Sequence, residues 1–247
     1  MKEGNNMQDT INMNVIAHMQ SDFHDKFGIP RQSGLVKALR SRIVFTPEYR
    51  SPEAVRGLQD FSHLWVIWQF SKAVRDGSWS PTVRPPRLGG NTRMGVFATR
   101  SPYRPNAIGL SCVEIVSVEP DTPEGPVITV AGADLLDGTP ILDIKPYIPY
   151  ADSFPSARGG FTDSAGDFLL DVDFPEALLA RVPEESREAL LGVLSHDPRP
   201  AYQRTPERIY GLSFASVNVK FRVEDKALHV LELDDNPRKP NDKDGNK

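Results

Sequence analysis

The first 150 residues lack the long helical hydrophobic pattern that would place helices on a parallel sheet. Between Ile11 and Tyr150 the apolar residues come in short runs rich in Val, Ile and aromatic residues, separated by clusters of Pro, Gly, Asn and Asp. Short strands without intervening helices pair antiparallel, as a barrel or a sandwich, and closure removes the exposed edges. We therefore predict a mainly β protein in which residues 11–152 form a closed antiparallel barrel.

The pattern changes after Tyr150. A Gly- and Ser-rich stretch, Pro155–Asp167, is typical of a linker, and two helical segments and a hairpin turning at Glu224–Lys226 follow it. Residues 165–235 are thus predicted to form a small α+β domain. The polar segments 1–10 and 236–247 have no hydrophobic periodicity and are expected to be disordered.

One segment of the predicted barrel is apolar on both alternating faces. In Phe61–Phe70, Trp65 and Ile67 alternate with Val66 and Trp68, which is typical of a central strand covered on both sides. His63 lies in this segment. A single histidine there is more often a hydrogen-bonded core residue than a catalytic one.

Composition narrows the cellular setting. No run of about 18 apolar residues is present, and the N-terminus lacks the apolar core of a secretory signal, so no membrane span is expected. Cys112 is the single cysteine, which excludes an internal disulfide and favours a cytoplasmic protein. The five histidines are widely spaced, and no metal site is predicted.

Positive charge is concentrated in one segment of a chain whose net charge is −4. Residues 1–150 hold 16 Lys and Arg against 15 Asp and Glu, whereas residues 151–247 hold 13 against 18. A guanidinium group grips phosphate or carboxylate with two parallel hydrogen bonds. Arginines on one stiff hairpin would suit an anionic ligand, and the segment 77–104 carries five with no acid: Arg84, Arg87, Arg93, Arg100 and Arg104.

Individual motifs are weak indicators. No strand is followed by the GxGxxG pattern of a Rossmann nucleotide site, and the Gly89–Gly90 pair alone says little about phosphate binding. In the segment Lys26–Gln32 a Gly-Ile-Pro turn is followed by Arg31 and Gln32. Asp134 and Asp137 lie near another glycine turn and could bind ribose hydroxyls or a cationic ligand.

Considered together and in their order along the chain, the motifs identify a protein family far more specifically than any one of them. The chain contains KFGIPRQ, FSHLWV, TVRPPRLGGNTRMGVFATRSPYRPNAIGLS, DLLDGTPILDIKPYIPYADS and DPRPAYQR. It closely resembles the TsaA-like family of tRNA methyltransferases known as TrmO, from about Val15 to Leu233. Members of that family use S-adenosylmethionine on a β-barrel instead of a Rossmann fold, which agrees with the strand pattern and the missing glycine motif.

The resemblance implies a substrate, a partner and a site. Family members methylate N6 of N6-threonylcarbamoyladenosine, next to the anticodon of threonine tRNA, and are typically homodimers. Carried over by motif, the cofactor-binding residues would be Pro30, Arg31, Gln32, His63, Leu64, Arg100, Leu110, Asp134, Leu135, Leu136 and Asp137.

Roles can be assigned on chemical grounds. The threonyl carboxylate and the RNA phosphates would be held by arginines, and the weakly nucleophilic urea-type nitrogen must lose a proton. Asp137 or His63 could accept it, with Asp137 preferred, and Arg100 completes the candidate catalytic set. The candidate RNA-binding residues are Arg84, Arg87, Arg93, Arg104, Tyr202 and Arg204.

Two alternatives stay open at this point. A non-enzymatic RNA- or nucleotide-binding barrel would keep the arginines without a methyl donor. A barrel methyltransferase with another substrate would bind the methyl donor but would not methylate threonine tRNA.

Overall fold

The computed structural model describes residues 10–72, 79–88, 91–163, 169–199, 205 and 207–235. Within these residues, eight strands precede the predicted linker: β1 Ala17–Gln20, β2 Arg40–Phe45, β3 His63–Gln69, β4 Thr82–Val83, β5 Met94–Gly95, β6 Ile108–Glu119, β7 Val127–Ala131 and β8 Pro140–Pro146.

Six of these strands close into a barrel in the order β1-β2-β7-β6-β3-β8, and every neighbouring pair is antiparallel. Side chains that alternate along the strands fill its interior, among them Met19, Ile43, Leu64, Val66 and Ile128. Burial of such apolar side chains is the main stabilising term for a barrel of this size. The prediction of a mainly β protein with a closed antiparallel barrel is confirmed.

In the arginine-rich segment β4 and β5 form a short hairpin, but the loop that carries Arg100 and Arg104 is not part of a hairpin. β5 pairs with β4, whereas β6 pairs with β3 and β7, so β5 and β6 are not partners. Between them the chain makes a single 3₁₀ turn, Val96–Ala98, and then runs irregularly to Ile108. Pro102 and Pro105 account for this, since proline lacks the amide hydrogen that a strand ladder needs.

β3 is a barrel strand with one inner face, so the expectation of full burial on both faces was wrong. Leu64, Val66 and Trp68 point into the core, whereas His63, Trp65 and Ile67 are half-buried on the outer face. Nδ1 of His63 lies 2.9 Å from the Ser62 hydroxyl. His63 is therefore not the core residue that the sequence pattern favoured.

The C-terminal part is a small α+β unit, as predicted. β10 Tyr210–Phe214, β11 Val217–Glu224 and β12 Ala227–Asp235 form an antiparallel meander, and β9 Asp171–Asp173 pairs parallel to β12. Two α-helices accompany these strands in the described residues, α2 Glu176–Leu179 and α3 Glu184–Ser195, whereas α1 Pro149–Asp152 directly follows β8. None of these helices has the length and apolarity needed to cross a membrane.

The C-terminal unit packs on the segment between β1 and β2. Its core includes Phe23, Val36 and Leu39 from that segment together with Leu190 and Leu212 from α3 and β10. The amide of Ala215 donates to the Asp22 carbonyl at 3.0 Å. The two units therefore share a hydrophobic core.

Several predictions fall on residues outside the described ranges. These are the disorder of residues 1–9 and 236–247, part of the linker, and the RNA-binding roles of Tyr202 and Arg204. The limits of the two domains stay a prediction.

Candidate active site

A cavity of about 840 Å³ opens where β3 ends and β6 begins. Its walls come from the segment after β1, the segment after β3 and the loop that leads from β5 into β6. These stretches meet because β3 and β6 are antiparallel neighbours, which places the end of one beside the start of the other. The volume is ordinary for a small-molecule site.

The charge of this cavity is strongly one-sided. Among the described residues that line it, one carries a carboxylate, Asp134, and five carry cationic side chains: Lys26, Arg31, Lys72, Arg100 and Arg104. Such a lining favours a ligand with several negative groups.

The floor of the cavity is fixed by a chain of hydrogen bonds. Nε1 of Trp68 donates to Oγ of Ser111 at 3.0 Å, and Oγ of Ser111 donates to Oδ1 of Asp134 at 2.6 Å. Gly109 lies opposite Trp68 in the β3–β6 register, and a Cβ on this glycine would lie 2.2 Å from the indole ring. Gly109 thus makes room for the Trp68 ring.

Burial raises the pKa of the Asp134 carboxyl above its ordinary value. The Ser111 hydroxyl, the Asp134 and Ser33 backbone amides and the positive charge of Arg100 act in the opposite direction but do not cancel it. A carboxylate with a raised pKa is a stronger base than an exposed one.

The opposite wall carries Gln32 and Arg100. Nη1 of Arg100 donates to Oε1 of Gln32, and Nε2 of Gln32 donates to the Arg31 carbonyl at 2.6 Å. The ammonium group of Lys26 donates to the Lys72 carbonyl and so links the segments that follow β1 and β3. Arg100 is thus oriented by its neighbours while it still faces the cavity.

The outer rim is aromatic and basic. Phe97 lines the cavity and packs against Trp79, with ring centroids 6.0 Å apart, and both rings are largely exposed. Arg84 and Arg93 lie exposed at the ends of the β4–β5 pair. Nη1 of Arg104 donates to the Thr99 carbonyl at 3.1 Å, which braces the loop.

The structure brings together many of the predicted site residues. Those that line the cavity are Pro30, Arg31, Gln32, Arg100, Arg104, Leu110, Asp134 and Leu136. Arg84 and Arg93 lie outside it, and the Arg87 side chain falls outside the described part of the chain.

Four of the residues predicted to bind the cofactor do not line the cavity. Leu64 and Leu135 are fully buried in the barrel core, and His63 lies at the other end of β3. Asp137 turns away, because its Oδ1 accepts a hydrogen bond from the Ser21 amide at 3.0 Å. The assignment of Asp137 or His63 as the proton acceptor therefore has no support in the geometry.

Sequence reasoning missed Lys26, Trp68 and Lys72. Antiparallel pairing of the FSHLWV strand with the AIGLS strand would have placed the residues after Gln69, and not those around His63, beside the arginine loop. The residue composition alone does not fix that register.

The fold and the cavity define a class: a β-barrel protein with a cation-lined site for an anionic ligand. The family model described as the tRNA-methyltransferase O N-terminal domain matches residues 18–153, and the model described as the TrmO C-terminal domain matches residues 168–236. The chain belongs to the TrmO family.

Individual relatives agree with this membership. The tRNA (adenine(37)-N6)-methyltransferase of Escherichia coli K12 is 41% identical over 227 residues, covering 89% of this chain and 96% of the relative. The protein of the same name from Eikenella corrodens is 45% identical over 173 residues, covering 70% and 96%. The crystal structure of TrmO from Pseudomonas aeruginosa superposes with a TM-score of 0.73 at 32% identity, covering 92% of this chain and 100% of that one.

Proposed function

We propose that this protein is a tRNA methyltransferase that uses S-adenosylmethionine to methylate N6 of N6-threonylcarbamoyladenosine beside the anticodon of threonine tRNA. The observation that carries the proposal is the cavity, whose described lining has five cationic side chains and one half-buried carboxylate, in a family of tRNA methyltransferases. The substrate base adds a threonyl carboxylate to the phosphates of the RNA, which matches that excess of positive charge.

The lining also suits the methyl donor. Its carboxylate matches the arginines, its adenine and ribose match the apolar surfaces of Ile29, Phe70 and Leu110, and its cationic centre tolerates Asp134. When bound, S-adenosylmethionine supplies a methyl group whose bond to sulfur breaks with the electron pair left on sulfur. Arg31, Gln32 and Arg100 would hold the donor, with Leu110 and Leu136 beside it.

The protein itself binds, orients and excludes water. Arg104, together with an adjacent cation such as Lys72, would hold the threonyl carboxylate, and each charge-assisted bond contributes about 1.5–3 kcal/mol. Positive charge near the urea-type nitrogen also stabilises the negative charge that develops as its proton leaves. Alignment of the reacting groups can lower the barrier by about 7–11 kcal/mol.

The anticodon loop would lie along the aromatic and basic rim. Trp79 and Phe97 offer exposed faces on which unpaired bases stack, and Arg84 and Arg93 would neutralise phosphates.

We also propose a homodimer in the cytoplasm. The exposed apolar side chain of Val116 on β6, away from the cavity, supports the dimer, and analytical ultracentrifugation tests it.

The decisive experiment is nucleoside mass spectrometry of threonine tRNA incubated with the protein and S-adenosylmethionine. We expect N6-threonylcarbamoyladenosine to be replaced by its methylated form, and tRNA lacking the threonylcarbamoyl group to stay unmodified. Arg104→Ala should lower the yield. Arg222→Ala, an exposed arginine on β11, is the matched control. Methylation of a different nucleoside would favour a barrel methyltransferase with another substrate, and tight RNA binding without donor binding would favour a non-enzymatic barrel.

A further inference from the structure

Among the described residues that line the cavity, Asp134 is the single one with a carboxylate, the group best suited to accept a proton. Besides Asp134, the charged side chains that line the cavity in the described residues are those of Lys26 and Arg31 after β1, Lys72 after β3, and Arg100 and Arg104 before β6; of these, Arg100 acts electrostatically on Asp134. The ammonium and guanidinium groups of lysine and arginine carry hydrogen-bond donors and no acceptor. No histidine lines the cavity among the described residues.

We propose that Asp134 is the residue that accepts the N6 proton of the substrate, and that Trp68 and Ser111 are positioning residues that aim its carboxylate. The proposal rests on the proposed function and assigns a role within that site. The step is balanced: the N6–H proton moves to Asp134, which becomes a neutral carboxylic acid, and the electron pair of that bond stays on nitrogen to form the new bond to carbon.

The hydrogen-bond directions in the floor are fixed by chemistry. The indole nitrogen of Trp68 can only donate, so it occupies an acceptor site on the Ser111 hydroxyl. The one proton of that hydroxyl then points to Oδ1 of Asp134, 2.6 Å away. Oδ1 is thereby engaged by the protein, and the carboxylate is held in one orientation at the cavity.

Trp68 is itself held in place. Its ring lies against Gly109, where no larger residue fits, and 4.2 Å from the Phe70 ring by centroid distance. The indole is 7% exposed and Ser111 is 1% exposed, so water does not compete for this hydrogen bond. A buried polar chain of this kind, fully paired, specifies one side-chain arrangement.

The roles of Asp134, Ser111 and Trp68 can be distinguished by measuring turnover, donor binding and titration in variants of each residue. Asp134→Asn keeps an oxygen that accepts from Ser111 and removes the basicity. We expect turnover on threonylcarbamoylated tRNA to fall about 10²–10⁴-fold, with S-adenosylmethionine binding by calorimetry within about threefold of wild type. Wild-type turnover in the same assay establishes the proposed function independently of this variant.

The positioning residues are tested by titration. Ser111→Ala removes a hydrogen bond that stabilises the charged carboxylate, so the pKa of Asp134 should rise further. The carboxyl ¹³C signal of Asp134, followed by NMR without ligand, should titrate at higher pH, and the acid limb of kcat should move in the same direction. Trp68→Phe should give a smaller shift of the same sign. Ser117→Ala, which removes a hydroxyl bonded to exposed Glu119 on the same strand, is the control and should shift neither.

Three outcomes would overturn the proposal. One is normal turnover of Asp134→Asn. Another is a loss of donor binding in Asp134→Asn that matches its loss of turnover, which would make Asp134 a cofactor ligand. The third is a defect of the expected size in Asp137→Asn while Asp134→Asn is active, which would restore the sequence-based assignment. If the wild-type protein leaves threonylcarbamoyladenosine unmethylated, that result overturns the proposed function, and the role of Asp134 that rests on it is overturned as well.

Discussion

The two walls of the cavity are held by different parts of the molecule. Trp68 and Gly109 belong to paired barrel strands, and the barrel's own core fixes them. The wall that carries Lys26, Arg31 and Gln32 is an irregular segment that rests on the C-terminal sheet. There Phe27 packs against both Tyr210 and Phe221, each ring centroid 6.4 Å away. The acidic C-terminal unit, which its charge makes a poor RNA clamp, thus contributes to the site by supporting one of its walls.

Breaking that support should have the largest effect. Leu212 is fully buried, and its Cδ1 occupies the space that a Cβ on Gly28 would need. Leu212→Ala is expected to cost about 2–5 kcal/mol in the free energy of unfolding, measured in urea. Because the supported wall loosens, S-adenosylmethionine affinity should also fall about tenfold, or about 1.4 kcal/mol.

The matched control for this variant is Leu228→Ala. Leu228 is as deeply buried, but it pairs with Val223 near the β11–β12 turn, beyond the last residue that β10 covers. Its unfolding free energy should fall by a similar amount while donor affinity is retained. Equal affinity in both variants would show that the C-terminal sheet does not support the wall.

Gly109→Ala is expected to disturb the barrel wall of the cavity by displacing the Trp68 ring. The added methyl group would overlap the Trp68 ring, which is packed and cannot swing aside, so we expect a cost of about 1–3 kcal/mol in unfolding free energy. The displaced indole should also change its fluorescence. Gly211→Ala on β10 is the control, since nothing lies within 4 Å of a Cβ there, and it should be neutral or slightly stabilising.

The surface charge of the two units offers a finer comparison. If Arg84 and Arg93 contact phosphates, each alanine variant should lower the slope of log affinity against log salt by about 0.7–0.9, with donor binding unchanged. Filter binding of an anticodon stem-loop over a salt series measures this. Arg222→Ala on the acidic unit should leave the slope as it is in wild type.

The barrel could be predicted from the sequence because short strands without helices have few ways to hide their edges. The cavity could be predicted only in part. The arginine loop, Gln32 and Asp134 stand out by residue type, whereas the Trp68–Ser111–Asp134 chain depends on which residues of β3 and β6 lie opposite each other. Strand periodicity does not determine that register. Because the register was unknown, the sequence analysis wrongly placed His63 and Leu64 in the site.

The smallest expected effect concerns the stability cost of the buried carboxylate. The folded-state pKa of Asp134 is raised above its ordinary value of 3.8, chiefly by burial, so the folded chain binds this proton more tightly than the unfolded chain. The unfolding free energy therefore decreases as pH rises from about 3.8 through the folded-state pKa, and the charged group costs stability above it. Asp134→Asn should thus have a slightly higher Tm than wild type at neutral pH, and the difference should shrink as the pH is lowered through this window. Asp121→Asn, at an exposed turn, is the control. A lower Tm of Asp134→Asn at neutral pH would mean that the charged carboxylate stabilises the cavity floor and that its burial carries no net cost.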